Sequence, residues 1–257
     1  MGLELKRNAF ARLSKPLTSP VSLWQFDPVP AKEPVIVGAV LAGGKGSRLG
    51  GINKGLIELR AGVSIADRLL AEIRKAGILD TVVCSDRRAE YARFRLPVIP
   101  DRFRDAGPIA GIEAALRHFR GKGDGILFLP CDMPRISKKE IRQLMTAFHN
   151  RRAPVVTAVT GRTAWHSLFS VVRADLHAEI LRAIRDGRFK LAALWQDLGA
   201  ETVSFADEHA FANINTPYDL EKFRRQQGRG AGACPSPAVR SLPPCEKRPG
   251  KISSHAR

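Results

Sequence analysis

An apolar run at residues 35–41 (VIVGAVL) breaks off at Ala42-Gly43-Gly44. It opens into a loop with three more glycines (Gly46, Gly50, Gly51) and three cations (Lys45, Arg48, Lys54). The run is rich in β-branched residues and ends on glycine, which predicts a buried strand. Glycine tolerates positive φ and lets a ligand approach the main chain, so such a loop can turn several N–H groups toward one centre. With Arg and Lys added it becomes a cradle for a polyanion, first of all the phosphates of a nucleotide.

Two familiar phosphate loops do not match. A P-loop needs Gly-Lys followed by Ser or Thr, and no Gly-Lys pair here is so followed. The dinucleotide fingerprint is missed by one residue, because Gly44, Gly46 and Gly50 read GxGxxxG. Lys45 can equally be a solvated side chain.

Further along, apolar residues alternate between two periods. Strands are predicted at residues 56–59, 81–84, 96–99, 125–129, 154–159, 168–172 and 201–205. Helices are predicted over 64–76, with Gly77 as stop, and over 107–119, 138–150, 174–185, 190–198 and 216–225, the last capped by Thr216. This rhythm predicts an α/β fold: a doubly wound, mostly parallel sheet with helices on both faces, in a single domain over residues 34–225. Ligands of such sheets bind beyond the carboxyl ends of the strands, where loops 42–54, 84–88, 100–111 and 130–135 would gather. Residues 1–33, with four prolines and no periodicity, are expected to be a partly disordered extension. Residues 226–257, rich in Gly, Pro, Ser and Arg, are expected to be a disordered basic tail.

The formal charge of +17 would by itself suggest nucleic acid. Its distribution argues otherwise. Residues 224–257 carry eight basic residues and one acidic one, whereas residues 34–223 carry 29 basic against 21 acidic, a balance suited to a phosphate-handling enzyme. No specific nucleic-acid partner is expected. No long uncharged apolar run marks a membrane span, and residues 1–16 lack the apolar core of a signal peptide. Four scattered cysteines (Cys84, Cys131, Cys234, Cys245) suggest reduced thiols and a cytoplasmic protein.

Asp132 follows the strand GILFL directly and lies between Pro130 and Pro134. A carboxylate at a strand end with stiff neighbours can hold Mg²⁺ bridging nucleotide phosphates; the alternative is a turn Asp capping the next helix. Asp101 ends the strand LPVIP, with GPIAGI soon after, and Asp105 is a rival for capping that helix. Arg48 and Lys54 are the cations suited to phosphate oxygens, Arg as a bidentate fork and Lys as a mobile point charge. In Asn213-Ile214-Asn215 the alternation turns both amides to one face, next to a helix start.

The loop LAGGKGSRLGGINKG resembles the signature LAGG-x(3)-R-[ML]-GG-x(2)-KG of molybdenum cofactor guanylyltransferases, the MobA-like nucleotidyltransferases. LPCDMP, the Asp101 and GPIAGI pair, and FANINTPYDL resemble three further motifs of that family, over about residues 35–223. The resemblance implies a Rossmann-like nucleotidyltransferase fold that moves GMP from GTP onto Mo-molybdopterin. It implies nucleotide contacts by Leu41, Ala42, Gly43, Gly44, Lys54, Cys84, Asp101 and Asp132, with Mg²⁺ on Asp132. It implies catalytic roles for Arg48, Lys54, Asn213 and Asn215, a monomer, and delivery of the product to molybdoenzymes or cofactor-insertion chaperones. There are two departures. Cys84 stands where the family commonly has Asn, with Ser85 and Asp86 as substitutes. Trp165-His166-Ser167-Leu168 stands where the family has His-Pro, leaving His166 open to a structural or a pterin-facing role. A cytidylyltransferase, a basic nucleic-acid-binding protein and an inactive nucleotide-binding domain are the alternatives.

Overall fold

The computed structural model describes residues 33–43 and 53–230. A compact unit begins at Pro34. The expectations for the N-terminal extension and most of the tail fall outside the described residues.

In chain order the elements are β1 (Ile36–Leu41), β2 (Glu58–Arg60), β3 (Val63–Ser64), α1 (Ile65–Ala76), β4 (Thr81–Cys84), α2 (Arg88–Tyr91), β5 (Val98–Ile99), α3 (Pro108–His118) and β6 (Gly125–Pro130). There follow α4 (Lys138–Arg151), β7 (Val155–Thr160), β8 (Ala164–Arg173), α5 (His177–Arg185), α6 (Leu191–Asp197), β9 (Glu201–Phe205) and α7 (Pro217–Gly230). Seven strands form one sheet in the order β5-β4-β1-β6-β8-β7-β9, while β2 and β3 pair as a separate small hairpin. The first strand therefore sits inside the sheet, parallel to β4 on one side and β6 on the other.

Strand alternation sorts the core into two layers. Val40 and Val83 face α1 and α4, packing with Leu69, Ile73, Ile141 and Leu144. Ala39, Leu41 and Val82 face α3, α5 and α6, with Ile112, Leu116, Ile180 and Trp195. Helices thus cover both faces. Local rules account for their ends. Ser64 and Asp67 form a reciprocal cap on α1, and Gly77 ends it in the left-handed region at φ 104°. Thr216 and Asp219 likewise bond each other's main-chain N–H at the start of α7. That helix continues past residue 225, because Gln226 and Gln227 are good helix formers and no proline intervenes.

Strand β8 departs from the expected pattern. It is antiparallel to both β6 and β7, and it begins at Ala164, earlier than residue 168. With only a three-residue turn after Thr160, no crossover helix fits, and a hairpin is the sole connection available. The β7–β8 register jumps from Thr157 opposite Ser170 to Ala158 opposite His166, so residues 167–169 bulge out of the ladder. At the far edge, β5 pairs over only Val98 and Ile99 and is bracketed by Pro97 and Pro100. No helix among the described residues is long and apolar enough to cross a membrane.

Candidate functional site

The carboxyl ends of β1, β4, β5 and β6 open into one cleft of about 730 Å³. All four loops expected there contribute to it. Two groups of polar side chains line it.

The first group is Lys54, Asp132 and Asn215. Lys54 begins a short 3₁₀ turn, Lys54–Leu56, and its ammonium donates to Asn215 Oδ1 at 2.6 Å and stands 3.7 Å from Asp132 Oδ2. Asp132 leaves the end of β6. It does not cap α4, which Ser137 and Glu140 cap reciprocally. Burial lifts its carboxyl above the usual carboxylate range, and the nearby Lys54 ammonium opposes that shift. The Ile214 N–H donates to the Asp132 carbonyl at 2.8 Å, tying the two segments together, so Asn215 reaches the cleft. Asn213, on the same side of the alternation, is exposed and does not line it.

The second group centres on Asp101. Its main-chain N–H donates to Asp86 Oδ1 at 3.0 Å, and its own Oδ1 is buried with no hydrogen-bond partner among the described residues. Burial first, then Asp86 and Glu113, push the Asp101 carboxyl up to about 6. Its seat exists because two neighbours lack side chains. A Cβ on Gly43 would stand 3.3 Å from Asp101 Oδ2, and one on Gly111 3.1 Å from Leu41 Cδ2 and 3.6 Å from Asp101 Oδ1. Helix α3 opens at Gly107, which has no side chain to cap it, with Pro108 as its first residue. A buried acceptor with no donor is costly in isolation and is suited to a ligand that brings N–H groups.

Leu41, Ala42 and Gly43 line the cleft beside these groups, whereas Gly44, Lys45 and Arg48 lie outside the described residues. Cys84 is fully buried and its thiol is pushed up by burial. Its carbonyl accepts the Ala42 N–H at 3.0 Å, so its polar contribution at the cleft is main-chain. His166 turns into the hairpin instead: its Nε2 lies 2.8 Å from Thr160 Oγ1, and its ring stacks on Phe211 at 4.4 Å. Burial lowers its pKa, and it does not line the cleft. Leu168 does, carried there by the bulge, which no local sequence signal marks. Among the described residues no three His, Cys, Asp or Glu gather to hold a metal, so an ion on Asp132 would draw its other ligands from phosphates and water. A half-buried carboxylate with one cation beside it is a fitting donor for that arrangement.

The model of the MobA-like NTP transferase domain matches residues 38–201. A molybdenum cofactor guanylyltransferase of Pseudomonas aeruginosa is 36% identical over 188 residues, covering 72% of this chain and 92% of that protein. One from Burkholderia vietnamiensis is 35% identical over 205 residues, covering 75% of this chain and 97% of the relative. The crystal structure of molybdopterin-guanine dinucleotide biosynthesis protein A from Archaeoglobus fulgidus superposes with a TM-score of 0.60 at 25% identity, over 75% of this chain and 98% of that one. A mostly parallel sheet, a cleft beyond its strand ends and a family match that starts inside β1 agree on one assignment: the chain belongs to the MobA-like NTP transferase family and is a nucleotidyltransferase.

Proposed function

We propose that this enzyme transfers GMP from GTP, with Mg²⁺, to the terminal phosphate of Mo-molybdopterin, forming the guanine dinucleotide cofactor and releasing pyrophosphate. The observation that carries this reading is the Lys54 ammonium set between Asn215 and the Asp132 carboxylate, in a cleft that Asp101 also lines. The relatives named as molybdenum cofactor guanylyltransferases support it.

An oxygen of the acceptor phosphate attacks the α-phosphorus, the bond to the β-phosphate oxygen breaks, and pyrophosphate leaves with the electron pair. Phosphate oxygens are already ionised at neutral pH, so no general base is needed. Lys54 meets the negative charge that builds on the α-phosphoryl oxygens, as does Arg48 from the glycine loop. Asn215 holds Lys54 before the nucleotide arrives and orients the acceptor phosphate, a role that Asn213, outside the cleft lining, does not share. Asp132 would hold Mg²⁺, which when bound draws off phosphate charge. Gly43 and Gly44 allow the main chain to approach the nucleotide, joined by Leu41, Ala42 and Cys84. Asp101 accepts from the N1–H and N2–H₂ donors of guanine. Cytosine has a single donor group on its pairing edge, N4–H₂, beside the N3 and O2 acceptors. It can give that carboxylate one hydrogen bond where guanine gives two, which favours the guanylyl over the cytidylyl reading.

The test is GTP and CTP binding with Mg²⁺ by calorimetry, together with pyrophosphate release in the presence of Mo-molybdopterin. GTP should bind at least tenfold tighter, the scale of the second charge-assisted hydrogen bond that cytosine's single donor group does not supply. Asp132→Ala should abolish release while the protein remains folded. Equal affinities, or full activity in Asp132→Ala, would overturn the reading.

A further inference from the structure

Lys54 is the middle residue of Asn53-Lys54-Gly55, and neither neighbour lines the cleft. Both face the other way, toward Tyr91 on α2, which is fully buried. The Tyr91 hydroxyl donates to Asn53 Oδ1 at 2.6 Å. The same oxygen accepts the Gly55 N–H at 3.3 Å, and Asn53 Nδ2 donates to Glu90 Oε2 at 3.1 Å. Gly55 leaves the space the phenol needs: a Cβ there would lie 2.3 Å from Tyr91 Oη. Burial pushes the phenol's pKa up. A single hydroxyl therefore stands behind the turn that carries Lys54.

We propose that Tyr91, which does not line the cleft, is a positioning residue for Lys54. Its hydroxyl fixes the Asn53–Gly55 turn from behind and so sets where the Lys54 ammonium stands. A lysine stem has several rotatable bonds, and its head is only as well placed as the main chain that bears it. Phenylalanine would fill the same volume, so packing alone gives the hydroxyl no purpose. A buried hydroxyl also costs stability unless it is bonded, and here its partner is the residue next to the working cation. The inference rests on the reading of Lys54 as a phosphate-binding cation.

The experiment is a double-mutant cycle of Tyr91→Phe and Lys54→Ala, measured as pyrophosphate release from GTP with Mg²⁺ and Mo-molybdopterin, alongside melting temperature. Tyr91→Phe should stay folded and lose about tenfold in kcat, with the KM for GTP changed less than about threefold, the scale for a slightly misplaced catalytic group. In the Lys54→Ala background, Tyr91→Phe should cost less than about twofold, because the group it positions is gone. A purely structural tyrosine would cost the same factor in both backgrounds, and that result would overturn the proposal. Asn53 supplies a second approach. Asn53→Ala, which removes that acceptor, should fall to the Tyr91→Phe level, whereas Glu90→Gln, which leaves the Tyr91–Asn53 bond in place and keeps an acceptor for Asn53 Nδ2, should stay within about threefold of wild type. An Asn53→Ala enzyme with wild-type kcat would also overturn it. Full activity in Lys54→Ala alone would instead refute the underlying reading of Lys54, and the positioning role with it.

Discussion

Replacing Asp101 with asparagine should make the ligand-free enzyme more stable and less able to bind GTP. The carboxyl is pushed from 3.8 to about 6 in the folded chain. At about 1.36 kcal/mol per unit, this corresponds to roughly 3 kcal/mol of folded-state penalty once the group is ionised. The side chain borders an open cleft and is partly screened, so about 1–2 kcal/mol is the figure to expect. The sign follows from proton counting. Between pH 3.8 and about 6 the folded state holds this proton and the unfolded state has lost it, so wild-type stability falls as pH rises through that window. The asparagine variant has no such proton. The gap between the two should therefore open from about pH 4 to 6 and stay constant above, worth about 3–6 °C in melting temperature near pH 8. Thermal or urea denaturation of both proteins at about pH 5 and pH 8 measures it. GTP affinity should drop by about 1.5–3 kcal/mol, the worth of hydrogen bonds to a charged acceptor. A variant no more stable than wild type near pH 8, or a gap independent of pH, would refute the account of Asp101 as a strained, ligand-directed acceptor.

Gly43→Ala would bring a methyl group to 3.3 Å from Asp101 Oδ2 and displace it from its seat. GTP affinity by calorimetry should fall about tenfold, with the melting temperature nearly unchanged, because the new methyl meets a side-chain end bordering the cleft and not the packed core. Glu113 is fully buried on α3, and its Oε1 serves Arg102, Arg117 and His177, holding its carboxyl below the usual range against the pull of burial. Glu113→Ala should cost about 2–3 kcal/mol in urea unfolding, since it leaves two half-exposed guanidinium groups without their carboxylate.

Much of this was legible in the chain because it is locally encoded. The strand at β4 follows from β-branched residues, α1 from its apolar spacing with Ser64 and Gly77 at its ends, and the position of Asp132 from a strand stopped by prolines. Asp101 could be placed near the cleft for the same reason, because it lies just beyond a strand, and Lys54 because it closes the glycine loop that begins where β1 ends. What escaped is carried by pairings distant in sequence. The reversal of β8 and its bulge at residues 167–169 depend on register with β6 and β7, which leaves no period to read. The Tyr91–Asn53 bond joins residues whose separation makes them strangers in the sequence. Glu113 is buried with its carboxylate between Arg102, from the loop after Asp101, and His177 at the start of α5, partners that only the tertiary fold brings to it. His166, open to two roles in sequence, is turned from the cleft by its stacking on Phe211.

The brevity of β5 has a consequence for how these molecules behave in a crowd. The border strand of an open sheet is a place where a stranger's backbone can dock and start a fibre. Here that border offers two residues, between prolines that have no N–H to give to a newcomer. The same abrupt stop turns the chain at Asp101. A longer strand would have extended the sticky border and carried this aspartate away from the glycines that make room for it.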